Sequence, residues 1–303
     1  MGYHEFKYYL FGLKVGVSNL LFNGFKIGTH KSIGKISHPI NFYSRFPEYY
    51  YFNICIDNRL REHQNRTLKI LDVGSPKLFG LYLAYTKPVT LVLTDFHKRN
   101  IDEYIYLWNS IKGTAKGHIE FITADARSLC FNNDSFDIVY AMSVIEHIEG
   151  KDGDSIALQE LKRVLKQGGL LIVSVPFGDH YIEQKIETYS AYLTDGLDAG
   201  EDYSFFQRIY DMKNVQERIL QFISAHTELK LVSRRWQFIL RLYMKAPSGL
   251  RAILGFLNPV LSKLFNVDNK DFLSPPSNYR LHYKVYDVYS DLILFYSKDN
   301  VKM

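Results

Sequence analysis

The sequence predicts an α/β protein with a doubly wound sheet of seven strands, mostly parallel, whose last strand is antiparallel. Short apolar and β-branched segments alternate with helical segments between residues 68 and 175, which is typical of parallel strands joined by helices. The first of these segments, Leu68–Val73, runs into Gly74 and so favours a tight turn after a buried strand. A late apolar segment, Val288–Tyr296, is typical of the antiparallel strand that completes such a sheet.

The predicted core elements follow one another in regular alternation. The strands are Leu68–Val73, Val89–Thr94, Ile119–Thr123, Phe136–Ala141 and Leu170–Val175. The helices between them are Lys77–Tyr85, Ile101–Ile111 and Ser155–Leu165. Gly168 is predicted to stop the last helix, because glycine is favoured just after a helix end. A helix over Val215–Ala225 and a strand over Leu229–Ile239 precede the final strand.

Three regions are predicted along the chain. Residues 1–66 form an N-terminal helical and aromatic cap, with a helix over Tyr8–Phe22 and an aromatic block, Asn41–Phe52, leading into a helix that ends near Arg61. Residues 67–178 form the ligand-binding core. Residues 179–303 complete the sheet on the substrate side and carry a helical insertion at about 242–270.

Composition sets bounds on the partners of this chain. The 303 residues carry a net charge of +5, which we interpret as spread along the chain without a run of five Lys or Arg, a weak sign of an anionic partner. Two cysteines, Cys55 and Cys130, match neither a disulfide framework nor a metal-ligand spacing, so a reducing, cytoplasmic location is expected. No stretch of the sequence reaches about 18 uninterrupted apolar residues, so no transmembrane helix is predicted.

Chemistry-bearing residues fall at the ends of successive predicted strands. Gly74 ends the first strand, where glycine allows positive φ and close approach of a ligand. Asp95 ends the second strand, where a carboxylate can accept both hydroxyl groups of a ribose. Asp125 follows the third strand and can accept from an adenine amino group. Taken singly, Gly74 and Asp125 are also ordinary turn residues and Asp95 a helix cap, but their order favours a nucleotide site.

The fourth strand end carries the most specific motif, Phe136-Asp137-Ile138-Val139-Tyr140-Ala141-Met142-Ser143-Val144-Ile145-Glu146-His147-Ile148, with Leu165-Lys166-Gln167-Gly168-Gly169-Leu170-Leu171 behind it. On these residues the chain resembles the class I S-adenosylmethionine-dependent methyltransferases, in particular the group that includes the ubiquinone-biosynthesis enzymes. The resemblance covers about residues 67–178 and implies a Rossmann-like fold. It also implies S-adenosylmethionine as the cofactor.

The resemblance assigns roles to individual residues. It places Asp72 and Gly74 beside the methionine part of the cofactor, Asp95 at the ribose, Asp125 with Ala126 at the adenine, and Ser143 near the sulfonium. Ser75 and Phe96 are further cofactor-binding candidates. Family members commonly have glycine two and four residues after the first glycine, where this chain has Pro76 and Leu78. Because proline has a fixed φ and no N–H, an alternative is a methyltransferase-like binding protein without turnover.

Candidate catalytic and substrate residues lie beyond the strand ends. Methyl transfer needs a base when the acceptor is a weakly acidic hydroxyl or a protonated amine, and His147 and His180 are the candidates. Tyr49, Glu146, Arg208 and Tyr210 are candidate substrate contacts, and Arg45 and Glu48 are candidate contacts of a lid formed by the aromatic block. The Glu146-His147 pair also resembles part of a divalent-cation site. Since Ser143 stands where a further acidic residue would strengthen that site, no metal is predicted.

The sequence therefore predicts a methyltransferase (EC 2.1.1.-) acting on a small-molecule or lipid-like acceptor, with transfer to oxygen or nitrogen. A nicotinamide dehydrogenase would need Gly-x-Gly-x-x-Gly after the first strand, and a nucleic-acid methyltransferase a basic patch or an Asn/Asp-Pro-Pro-Tyr motif; both patterns are absent. The apolar segment 249–265 is open to four uses: core packing, which we favour, a pocket cap, a homodimer contact, or peripheral contact with a membrane.

Overall fold

The computed structural model describes residues 3–23, 45–187, 203–223, 228–232 and 290–298. The strands in this part of the chain are β1 (Lys69–Val73), β2 (Thr90–Asp95), β3 (His118–Thr123), β4 (Phe136–Met142), β5 (Leu165–Phe177), β6 (Ile182–Glu187), β7 (Tyr203–Ile209), β8 (Glu228–Val232) and β9 (Ser290–Ser297). The helices are α1 (Tyr3–Asn23), α2 (Phe46–Glu62), α3 (Lys77–Thr86), α4 (Lys98–Asn109), α5 (Gly153–Val164) and α6, which has α-helical ends at Met212–Val215 and Gln221–Ile223 around a π-helical middle at Gln216–Leu220. Short 3-10 turns lie at Lys112–Thr114 and Ile145–His147.

Seven of the described strands form one sheet in the order β3-β2-β1-β4-β5-β9-β8. β1 pairs in parallel with β2 and β4, and the parallel ladder continues to β3 on one side and β5 on the other. β9 is antiparallel to both β5 and β8. The mostly parallel sheet with an antiparallel last strand is therefore confirmed. The strand order reverses between β1 and β4, and ligands of open α/β sheets bind beyond the carboxyl ends of strands at such a point.

Helices cover both faces of the sheet, as the doubly wound prediction requires. Side chains alternate between the faces along each strand: Ile70 and Leu91 join the core under α1 to α4, whereas Leu71 and Val92 join the core under α5 and α6. All seven residues of β4 are buried. The N-terminal helix α1 packs against α2, α3 and α4, so the region predicted as a cap shares the core of the sheet.

Two predictions about local structure are wrong. Helix α5 ends at Val164 and β5 begins at once with Leu165, five residues earlier than predicted. Gly168 therefore lies inside β5 rather than after the helix, with φ of +69° near a register shift between β4 and β5. The antiparallel hairpin of β6 and β7 was not predicted either. Its strand sequence Ile182–Glu187 is mostly polar, so it lacks the apolar alternation that signals a buried strand.

Several predictions lie outside the described residues. These are most of the strand predicted over Leu229–Ile239, the helical insertion at about 242–270, the segment 249–265 with its membrane and homodimer contacts, and residues 41–44 of the aromatic block. The division into regions 1–66, 67–178 and 179–303 stays a prediction. None of the described helices is both long and apolar enough to cross a bilayer.

Candidate active site

The turn after β1 depends on a glycine. Gly74 has φ of +63°, a conformation that side chains with a Cβ atom rarely adopt. A Cβ atom added there would lie 3.1 Å from Val144 Cγ1, closer than ordinary van der Waals contact. The Gly74 N–H donates to the carbonyl of Thr94 at 2.9 Å, which ties the turn to β2. The chain therefore reverses at the carboxyl edge of the sheet, where the sequence predicted the cofactor site.

Ser75 connects this turn to three other elements. Its N–H donates to Asp72 Oδ1 at 3.1 Å, and its Oγ accepts from the Met142 N–H of β4 at 3.0 Å. Its carbonyl accepts from the Tyr104 hydroxyl of α4 at 2.7 Å. Ser75 itself is 2% exposed. Buried hydrogen bonds, rather than further glycines, thus define the backbone of the turn.

The two departures from the family pattern occupy positions that tolerate them. Pro76 is the residue before α3, with φ of −56°, and its carbonyl accepts from the Phe79 N–H at 3.2 Å. A proline at a helix start loses no intrahelical hydrogen bond, because the first N–H groups of a helix have no partner in the helix. Leu78 is buried in the core. Further along, a Cβ atom at Gly80 would lie 2.8 Å from Asp72 Oδ2, so this glycine permits the close approach of α3 to the sheet.

Asp72 supports the turn from beneath. Its Oδ1 accepts from the Ser75 N–H, and its Oδ2 accepts from the Tyr140 hydroxyl at 2.7 Å. The side chain is fully buried, and this burial raises the pKa of the Asp72 carboxyl group to about 7, against the effect of the two hydrogen bonds. The predicted contact of Asp72 with the methionine part of the cofactor stays a prediction.

Asp95 and Phe96 lie together at the end of β2. Asp95 Oδ1 accepts from the His97 N–H at 2.8 Å, and Asn100 Nδ2 lies 3.0 and 3.1 Å from the two carboxylate oxygens. The carboxylate thus holds the residues that lead into α4, although the N-cap residue of that helix is His97 and not Asp95. Phe96 is 60% exposed, although phenylalanine is usually buried. A carboxylate beside an exposed aromatic ring fits a ribose with an attached base.

Asp125 and Ala126 follow β3. Asp125 accepts from the Arg127 N–H at 2.8 Å and from the guanidinium, with Nη2 2.7 Å from Oδ2. This hydrogen bonding by Arg127 lowers the pKa of the Asp125 carboxyl group. Ala126 is half-buried between them. Arg127 was not singled out in the sequence; the signal was its place two residues after Asp125, where a side chain folds back on its neighbour.

Ser143 ends β4 in a strained conformation, with φ of +50°. Its N–H lies 3.1 Å from both the carbonyl and the Oγ of Ser174 in β5. Its hydroxyl donates to Glu48 Oε1 at 2.9 Å. Residues other than glycine at positive φ persist only where the surroundings hold them, and such positions often cluster at functional sites.

Glu48 joins helix α2 to the ends of two central strands. Its carboxylate is fully buried and accepts from the hydroxyls of Ser143 and Ser174, the latter at 2.7 Å. Its other oxygen pairs with Arg45 Nη1 at 3.1 Å, and the Arg45 side chain is 26% exposed. Glu48 thus belongs to a buried network at the ends of two central strands, and its predicted contact as part of a lid stays a prediction. Ser174 was missed, because a serine inside an apolar strand carries no signal by itself.

His147 lies in the 3-10 turn that follows β4. Its Nδ1 lies 2.7 Å from the carbonyl oxygen of Phe206 in the β6–β7 hairpin. A carbonyl oxygen only accepts, so Nδ1 carries the hydrogen and Nε2 of the neutral ring has the lone pair. Nε2 is 3.8 Å from Glu146 Oε1, whose side chain is fully buried. Burial lowers the pKa of His147, with a smaller contribution from the positive charge of Arg45, so the neutral ring prevails near pH 7.

The remaining predicted residues are placed as follows. Arg208 is buried and donates to the carbonyls of Ile148, at 2.6 Å, and Gly150, which secures the loop after His147. Tyr210 is buried and donates to Asp154 Oδ2 at 2.7 Å. Tyr49 is buried against Phe79, with ring centroids 5.2 Å apart.

These contacts give Arg208, Tyr210 and Tyr49 supporting positions within the protein, and their predicted contacts with a substrate stay predictions. His180 is exposed, two residues after Gly178. No three His, Cys, Asp or Glu side chains group as metal ligands in the part of the chain that the structure describes.

We compared the sequence with models of known protein families. Residues 71–173, which include most of β1, all of β2 to β4 and most of β5, match the family described as a methyltransferase domain. Residues 71–173 therefore form a methyltransferase domain, in agreement with the predicted resemblance to the class I S-adenosylmethionine-dependent methyltransferases. This match supports S-adenosylmethionine as the cofactor of the domain, as predicted. The matched range contains all eight predicted cofactor residues.

Several solved structures are similar to the chain at low sequence identity. A methyltransferase from Methanosarcina mazei is 15% identical, over 79% of this chain and 96% of that one, with a TM-score of 0.47. The phosphoethanolamine N-methyltransferase 2 of Haemonchus contortus, solved with S-adenosyl-L-methionine, is 16% identical. The similarity covers 80% of this chain and 52% of that one, with a TM-score of 0.46.

The cyclase SpnF is 16% identical over 80% and 79%, with a TM-score of 0.45. Sequence identities and TM-scores this low do not indicate which reaction the methyltransferase domain catalyses or which acceptor it uses. A search of curated protein sequences finds no match to this chain.

Proposed function

We propose that this protein is an enzyme that transfers the methyl group of S-adenosylmethionine to an oxygen or nitrogen atom of a small-molecule or lipid-like acceptor, with His147 as the general base. The observation that carries the proposal is the fixed orientation of His147 at the end of β4, within a methyltransferase domain. The Phe206 carbonyl holds the Nδ1–H, and so the basic Nε2 is available to an acceptor.

The residues at the carboxyl edge fit the cofactor. Asp95 offers carboxylate oxygens next to the exposed ring of Phe96, a combination suited to a ribose and its base. Gly74 lets the backbone approach the ligand closely, and the start of α3 follows two residues later. When bound, S-adenosylmethionine supplies a methyl group on a positively charged sulfur.

The residues of the acceptor side handle the proton. An acceptor hydroxyl or ammonium group must lose a proton when its oxygen or nitrogen bonds to the methyl carbon and the carbon–sulfur bond breaks. Nε2 of His147 takes that proton, and the resulting imidazolium lies 3.8 Å from the carboxylate of Glu146. Alignment of the acceptor in a site that excludes water contributes to the rate, by up to about 7–11 kcal/mol in well-oriented intramolecular reactions.

The alternative from the sequence, a binding protein without turnover, rested on Pro76 and Leu78. Both residues occupy positions that suit them, at the start of α3 and in the core. Nothing in the described contacts of the turn favours loss of activity.

The test is methyl transfer by the full chain with methyl-labelled cofactor and two panels of acceptors. The first panel contains small molecules with hydroxyl or amine groups, and the second is an extracted lipid fraction. Two results together support the proposal: S-adenosylhomocysteine forms only when an acceptor is added, and His147→Gln slows its formation by about 100-fold or more while retaining cofactor binding. Cofactor binding by calorimetry without turnover on either panel supports the alternative. No binding at millimolar cofactor refutes both.

A further inference from the structure

Helix α1 carries an apolar stripe on the side that faces away from the core. Leu10, Leu13, Val17 and Leu21 are 50%, 38%, 56% and 82% exposed. Their spacings of three, four and four residues place them on one face of the helix. The stripe extends for about 16 Å along the helix, at 1.5 Å per residue. Half of the large apolar side chains that are conspicuously exposed in the described residues therefore lie in one line.

The opposite face of α1 fixes this orientation. Tyr8, Phe11 and Val15 are buried, and they follow the same spacing on the core side. The Tyr8 hydroxyl donates to the Tyr49 carbonyl at 3.1 Å, and the Tyr8 ring packs edge-on against Tyr82 with centroids 4.8 Å apart. Because that face is held by α2, α3 and α4, the helix cannot bury its apolar stripe by rotating in place.

The N-terminal segment that contains α1 is basic because it has almost no acidic residues. Six Lys and Arg residues but only one acidic residue, Glu5, lie within residues 1–45, so this segment carries a net charge of +5. Lys14, beside Leu13, is exposed at the border of the stripe.

We propose that α1 docks this stripe on the surface of an anionic lipid bilayer. An exposed apolar helix face inserts into the boundary between headgroups and acyl chains, and neighbouring basic residues are attracted to anionic headgroups. A second copy of the chain fits less well, because two segments of charge +5 would repel each other. The inference goes beyond the methyl-transfer proposal and does not depend on it.

Co-sedimentation of the full chain with vesicles tests the proposal. Vesicles of phosphatidylcholine with phosphatidylglycerol should bind the protein, and pure phosphatidylcholine vesicles should bind it more weakly. Added salt should weaken the difference, because it screens exposed charges. The variant Leu10→Gln/Val17→Gln/Leu21→Gln should partition at least about tenfold less, since it removes three inserting side chains. The matched control Tyr106→Gln/Ile156→Gln/Ile182→Gln changes three side chains that are 61%, 45% and 42% exposed elsewhere, and should bind like the wild type.

A second variant keeps the apolar character of the helix and reports insertion directly. Leu21→Trp should show a blue shift of its fluorescence on anionic vesicles, whereas Tyr106→Trp should not. The proposal is overturned if the wild type does not bind anionic vesicles, or if the stripe variant binds as the wild type does, since residues 249–265 are unchanged in it. It is also overturned if sedimentation without lipid shows a dimer that the stripe variant dissolves.

Discussion

The two halves of the candidate site are held by different parts of the chain. The turn after β1 is fixed by Asp72, Tyr104 and Met142, which all lie within residues 71–173 of the methyltransferase domain. The turn after β4 is fixed from outside that range, by Glu48 on α2 and by the carbonyl of Phe206 in β7. The cofactor half is thus self-contained, whereas the acceptor half uses both additions to the domain. We therefore expect the additions outside residues 71–173 to determine which acceptor is used.

The largest effect is expected at the acceptor half. His147→Gln should lower kcat by about 100-fold or more, in the range for loss of a general base, with unchanged affinity for S-adenosylhomocysteine. Since burial lowers the pKa of His147 below 6.5, kcat of the wild type should rise through a pH below 6.5 and level off above it. Stopped assays across pH measure this profile, and the variant should lack the inflection.

His118→Gln is a matched control for this prediction, because His118 begins β3 at the opposite edge of the sheet. His180→Gln separates the two predicted bases. A larger loss of kcat in His180→Gln than in His147→Gln would assign the base to His180. The contact between His147 and the Phe206 carbonyl would then have no role in catalysis.

The second prediction concerns the link between α2 and the strand ends. Glu48→Ala leaves the buried hydroxyl of Ser174 and the half-buried hydroxyl of Ser143 without their acceptor, and a buried group left unsatisfied costs about 1–3 kcal/mol. The free energy of unfolding should therefore fall by about 2–3 kcal/mol in denaturant titration. Glu62→Ala is the matched control, since Glu62 pairs with Arg59 in the same helix with the same spacing but is 57% exposed. Its effect should stay below about 1 kcal/mol, as for exposed ion pairs. Equal effects would show that α2 is not anchored through Glu48.

The sequence predicts the cofactor half better than the acceptor half, and particular residues show why. Gly74 and Asp95 each come at the end of a strand that the preceding apolar residues reveal, so a local sequence pattern is enough to locate them. Glu48 meets Ser143 across 95 residues and Ser174 across 126, and no local pattern encodes such contacts. Gly168 misled the prediction because a glycine at positive φ serves a helix end and an irregular strand equally well. The hairpin of β6 and β7 was missed because the polar strand β6 lacks an apolar period.

The third prediction tests the ribose assignment in the cofactor half. Asp95→Ala should weaken binding of S-adenosylhomocysteine by about tenfold, equivalent to about 1.4 kcal/mol, in calorimetric titration. Asp102→Ala is the control, because Asp102 lies in the adjoining helix α4, is 48% exposed and pairs with Lys98. Unchanged affinity in Asp95→Ala would leave the carboxylate with its other role, the bonds to His97 and Asn100 at the start of α4.

The smallest effect is expected from a change at the turn after β1. It asks whether one hydrogen bond shapes that turn for the cofactor or only stabilises the protein. Tyr104→Phe removes one hydroxyl, which donates to the Ser75 carbonyl, and should lower the free energy of unfolding by about 1 kcal/mol. If this bond shapes the turn in place of the missing glycines, cofactor affinity should fall several-fold while kcat at saturating cofactor is preserved. Tyr106→Phe, on the exposed side of the same helix, should change neither quantity. A loss of stability with full cofactor affinity would mean that Pro76 and the start of α3 suffice to hold the turn, and that the cofactor half tolerates departures from the glycine pattern more widely.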